Sequence, residues 1–167
     1  MAYAQDSDPS ITINFVNAGM SAGTTSTYST TTATVGVING KFSTSLSPQT
    51  NTATPTTDAN TGNAFNALQP NQTCALVLGI TVAGVIQMVQ GPIIANGIGV
   101  TTTVGSFINA PQFPDLPSNF QPLAYTIVQT APSASAWTPG SSSWTASGVA
   151  ATTFQNIAQL PARPQIA

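Results

Sequence analysis

The chain contains no histidine, no glutamate and a single cysteine, and charged side chains make up only 4% of its 167 residues. An ordinary soluble domain carries roughly 25%. The basic side chains are Lys41 and Arg163, and the acidic ones are Asp6, Asp8, Asp58 and Asp115. Without histidine, the commonest general base and metal ligand, neither a Ser/His/Asp nor a Cys/His triad can be built. Zinc sites need several cysteines or histidines, which are missing. Asp6 and Asp8 form the one close acidic pair. They lack the other ligands of a calcium loop and read as a solvated N-terminal segment. A hydrolase working on aspartates alone needs two carboxylates roughly 5–10 Å apart. Only the fold could bring Asp58 and Asp115 together in that way. Two distant basic residues cannot neutralise a nucleic-acid backbone, and no G-x-x-x-x-G-K-[ST] loop is present to cradle phosphates. On these grounds no enzyme, nucleic-acid role or cofactor is expected, and no residue is assigned as catalytic, cofactor-binding or metal-ligating.

Long hydrophobic runs are also scarce. The most apolar stretch, residues 74–86, is too short for the roughly 20 residues of a spanning helix, and it contains Gly79 and Gly84. No membrane association is expected. Residues 1–6 carry neither a basic side chain nor an apolar stretch, so they do not read as a secretory signal. Cys74 lies inside the apolar run Cys74-Ala75-Leu76-Val77-Leu78 and reads as a buried, inert thiol. Asn71-Gln72-Thr73 matches a glycosylation acceptor, a coincidence expected in so Asn- and Thr-rich a chain.

Neutral polarity takes the place of charge: 26 threonines and 16 serines, with many asparagines and glutamines. Strand signals recur along the whole chain. Residues 11–15 alternate apolar and polar, which predicts a strand with Ile11, Ile13 and Phe15 facing inward. Residues 21–34 are nearly all Thr, Ser, Ala and Gly and predict a strand or an extended arm. Asn39-Gly40 joins residues 34–38 to residues 41–46. This pair predicts a type I′ hairpin, with Phe42, Thr44 and Leu46 on one face and Lys41, Ser43 and Ser45 on the other. Residues 47–63 read as a loop. Residues 75–80 and 85–90 predict a central hairpin covered on both faces, closed off by Gly91-Pro92. Residues 93–109 hold a further strand, and Pro111, Pro114 and Pro117 punctuate a connector. Residues 123–128 predict another strand, Trp137 and Trp144 flank a turn at residues 138–141, and residues 149–157 predict the last strand. The expectation is an all-β chain: a single β-sandwich or jelly-roll-like domain over residues 31–167, preceded by an extended Thr/Ser-rich N-terminal arm over residues 1–30.

A surface so poor in charge has few defences against association, which suits a protein whose exterior becomes interface. Trp137, Trp144, Phe107, Phe113 and Phe120 lie in Pro/Ser-rich connectors. They serve either as anchors on a partner or as caps on the domain's own core.

Two stretches resemble small virion proteins of tailed bacteriophages. They are "LGITVAGVIQMVQGP" (residues 78–92) and "FPDLPSNFQPLAYTIVQ" (residues 113–129), the latter containing an FP-x-x-P element before a P-[LI]-[GA]-Y-x-x-V strand. "WTPGSSSW" (residues 137–144) and "LPARP" (residues 160–164) are similar to that group as well. The resemblance covers roughly the last 95 residues. It implies a capsid decoration (cement) protein or head fibre, often a homotrimer, lying on the outer capsid surface and bound to the major capsid protein. The alternative is a tail, baseplate or fibre protein involved in host attachment. A surface-layer or adhesin module is a third reading.

Overall fold

A computed structural model describes residues 12–164. Among these residues the chain is all-β, with no helix. The twelve strands are β1 (Ile13–Asn14), β2 (Ser21–Ala22), β3 (Thr27–Ser29), β4 (Gly36–Ile38), β5 (Lys41–Phe42), β6 (Thr52–Ala53), β7 (Gln72–Thr81), β8 (Ile86–Gln90), β9 (Ile94–Ala95), β10 (Phe120–Thr130), β11 (Val149–Ala151) and β12 (Gln155–Asn156). Asp6, Asp8 and Ile11 lie outside the described residues.

The backbone of the molecule is the antiparallel pair β7 and β10, whose register runs from Gln129↔Thr73 to Phe120↔Thr81. Both are rich in β-branched and aliphatic residues, which favour a pleated surface under cover. Pro122 has no N–H for the ladder, and the register shifts between Pro122 and Ala124. The bulge admits a proline to an otherwise regular central strand. β8 and β9 pair along the free edge of β7, and β11 and β12 along the free edge of β10.

Both faces of this sheet are covered, as the near-continuous apolar run of β7 predicts. On one face Cys74, Leu76, Leu78, Ile80, Met88 and Val128 pack with Tyr28, Leu68, Trp137 and Trp144. On the other, Val77, Val89, Phe120 and Tyr125 are covered by Phe113, Leu116, Ile157 and Leu160. A small sheet of order β2-β3-β6 brings Tyr28 onto the first face, giving sandwich-type layering. A second small sheet, β1-β4-β5, packs over Gln121 of β10, where Gly36 leaves room for the glutamine side chain.

Residues 12–30, expected as an arm, are extended but docked on the domain itself. Ala18, Met20 and Tyr28 are buried in the main cluster. Asn156 fastens this segment: its amide accepts from the Met20 N–H at 2.6 Å and donates to the Met20 carbonyl at 3.0 Å.

The Asn39-Gly40 turn has positive φ at both positions, 50° and 72°, as a type I′ hairpin requires. The facing of its neighbours differs from expectation. Asn14 and Ser43 are buried, whereas Phe15 is 56% and Phe42 73% exposed. Two causes act here. The inner side of this sheet is mixed: it buries Ile38 but also meets the Gln121 side chain, and its Ser43 hydroxyl accepts from Gly36 N–H at 3.1 Å, so it admits small polar residues. In addition the pairing changes from Val37↔Phe42 to Thr34↔Leu46, which places one extra residue in the second strand and turns Leu46 inward after Phe42 has faced out. The last predicted strand is also divided, into β11 and β12. Between them Thr152 bonds β10 through its backbone N–H to the Ile127 carbonyl, and through a hydroxyl that accepts from Ile127 N–H.

Candidate functional site

Cys74 is fully buried, and desolvation pushes its thiol up to about 12. The Gln90 amide contacts its sulfur at 3.9 Å and pulls weakly the other way. A thiol so placed is not a thiolate at neutral pH, in keeping with the inert reading.

The tryptophans serve the domain's own core. Trp137 and Trp144 pack at 5.4 Å between ring centroids with their planes tilted by 48°, and both are buried. Their indole N–H groups donate to the carbonyls of Ser143 at 2.8 Å and Thr27 at 2.9 Å. Trp144 therefore ties the C-terminal loop to β3. Phe120 is buried, and Phe113 stands edge-on to Tyr125 at 4.9 Å. Trp137, Trp144 and Phe120 are therefore core residues, whereas Phe113 is half-buried.

The exposed apolar groups lie elsewhere. Ile13, Val37 and Phe42 are cross-strand partners on the outward face of the β1-β4-β5 sheet. Phe15 extends that row, its ring 6.3 Å from Phe42. A second exposed apolar set decorates a narrow ribbon beyond β9, where Asn96 pairs with Phe107 and Val100 with Thr103. Gly105 permits the close approach of the two arms, since a Cβ there would run into the Gly97 carbonyl oxygen. Ile98 and Val100 on this ribbon are 87% and 76% exposed, and Ile108 follows it. The Thr101 carbonyl accepts from both the N–H and the hydroxyl of Ser133, which holds the tip against the body.

A third feature is an open groove of about 690 Å³, formed by the loop after β6, the end of β8 and the proline connector. Asp58 and Asp115, which the sequence could not place, both border it. They are not equivalent. Asp58 is buried, and its carboxylate accepts three backbone N–H bonds, from Asn60 at 2.8 Å, Thr61 at 3.1 Å and Gln90 at 2.8 Å. These bonds fold the loop and fix it to the edge of β8. Asp115 is exposed, and its backbone carbonyl accepts from the Asn60 amide at 2.8 Å. Neither basic side chain lines the groove. Among the described residues, no three side chains able to hold a metal ion come together.

Sequence reasoning passed over Phe15 because alternation pointed it inward, and it left the face shared by Phe42 and Leu46 unassigned. The one local sign of the groove is the spacing Asn60-x-x-Asn63-x-x-Asn66 in a loop, which becomes meaningful only when residues 90–93 and 112–115 close around it. Compared with protein-family models, with curated proteins and with solved structures, the chain has no match.

Proposed function

We propose that this chain is a non-enzymatic structural subunit of a virus particle: a capsid decoration protein that binds the major capsid protein lattice on the outer surface as a homo-oligomer, with a trimer favoured. The observation that carries the reading is the outer face of the β1-β4-β5 sheet, where Phe15 and Phe42 are exposed beside the half-buried Ile13 and Val37. Two exposed aromatic rings beside a half-buried aliphatic pair are costly on a monomer and characteristic of a surface that becomes covered. The ribbon residues Ile98, Val100 and Ile108 add a second apolar surface. The near absence of charge removes the usual barrier to association, and the resemblance to tailed-phage virion proteins supplies the setting. Many weak neutral contacts, multiplied by the attachment points of each oligomer, would hold such a subunit in place.

The test is mass spectrometry with densitometry on purified virus particles, together with co-sedimentation of capsids with the wild-type chain and a Phe15→Ser/Phe42→Ser variant. A copy number comparable with that of the major capsid protein is expected, as is loss of co-sedimentation by the variant. A few copies per particle would move the chain to the tail or baseplate. Absence from the particle would overturn the reading.

A further inference from the structure

We infer that the groove between the loop after β6 and the proline connector is a binding site for a neutral saccharide. The volume, about 690 Å³, lies within the ~300–1,000 Å³ of small-ligand clefts. Its walls are fixed by side chains spent on shaping it. Asp58 gathers three backbone N–H groups, and Gln90 grips the Asn66 backbone from both sides, accepting from its N–H at 3.0 Å and donating to its carbonyl at 2.8 Å. Asn60 reaches across to the Asp115 carbonyl and ties the two rims together. With the rims fixed through these bonds, the exposed amides of Asn63, Asn66 and Gln112 and the Asp115 carboxylate stand around an already ordered space. A preformed site loses little freedom on binding.

The chemistry of that lining selects the ligand. Amides offer a donor and an acceptor side by side, and the carboxylate adds acceptors, which suits vicinal hydroxyls that both give and receive hydrogen bonds. Phe113, Pro92 and Pro114 supply apolar surface for the C–H face of a sugar ring. No cation lines the groove and two carboxylates border it, so sulfated, sialylated or phosphorylated ligands are disfavoured. The inference does not rest on the particle reading, because it concerns the free chain and a surface distinct from the apolar row and the ribbon.

The experiment is affinity electrophoresis of the full chain through gels containing glucan, mannan, galactan or an N-acetylglucosamine polymer, with heparin and polysialic acid as acidic comparators. Retardation by at least one neutral polysaccharide is expected, with an affinity at least tenfold weaker in an Asn63→Ala/Gln112→Ala variant of unchanged melting temperature. Backbone amide chemical shifts of the wild-type chain, titrated with the matching oligosaccharide, should move at residues 60–66 and 112–115, which tests the location without any variant. The inference is overturned if no neutral polysaccharide retards the chain, if only the acidic ones do, or if the shifts map elsewhere. Retention on an immobilised peptide mixture with no saccharide binding would overturn it as well, by making the groove a peptide site.

Discussion

At the scale of single residues, polar atoms do the work that charge does elsewhere. Thr73, Thr126 and Thr130 are buried, and their hydroxyls donate to the carbonyls of Val128, Thr152 and Gln69 at 2.6–2.8 Å. Threonine thus combines a strand-favouring branched Cβ with a donor that fastens irregular backbone, which accounts for its abundance. Cys74 gives the residue scale its pH dependence. Its pKa is raised in the folded chain, so its stabilising contribution is complete below the ordinary value of 9.0 and is lost as pH rises through about 12. The loss should reach on the order of 4 kcal/mol. Burial raises Tyr28 in the same direction. Urea denaturation at successive pH values should show stability falling above pH 9, and a Cys74→Ala variant should fall less steeply. Equal slopes for the two chains would mean that the thiol is not the titrating group.

At the scale of elements, legibility in the sequence follows locality. The β7–β8 hairpin, β10 and the Asn39-Gly40 turn were readable because aliphatic runs and turn chemistry act within a few residues. The short strands were not. β2 and β3 pair with each other across a short turn, as in Ala22↔Tyr28, and β3 owes its second partner to the distant β6, as in Thr27↔Ala53, rather than to a pattern of their own. The inward side of β1 was misjudged because alternation assumes an apolar neighbour, whereas its neighbours here are Gly36 and Gln121. The groove was the least legible feature, assembled from three separate segments, although both aspartates it needed were in view. The turn offers a direct test at this scale. Replacing Gly40, at φ 72°, by valine should cost about 1–3 kcal/mol, because a β-branched residue resists that backbone region. An unchanged urea midpoint would show that the hairpin contributes nothing to global stability.

At the scale of the whole molecule, the formal net charge of −2 leaves little for salt to screen. The association we propose through the apolar row should therefore barely respond to sodium chloride between ~0.05 and ~0.5 M, a range over which the Debye length shrinks severalfold. Ammonium sulfate, which strengthens the burial of apolar surface, should promote it. Analytical ultracentrifugation distinguishes the cases. Dissociation by sodium chloride would show that the few charged residues, rather than the apolar faces, hold copies together.

The clasp between Met20 and Asn156 has a consequence for how the chain comes to its final shape. It spans 136 positions, and a neighbouring backbone bond joins Asn14 to Ala158. During synthesis, β1 and β2 can pair early with β4 and β3, but the bonds that fasten this segment to the C-terminal strands must wait until almost the whole chain has left the ribosome. β7 can pair with β8 at once, but its other edge must wait for β10, whose nearest pairing is Thr81↔Phe120. Such far-reaching closure makes folding slow and leaves aliphatic strand edges open in the interval. The domain is therefore complete only after the last strand has arrived to lock the first.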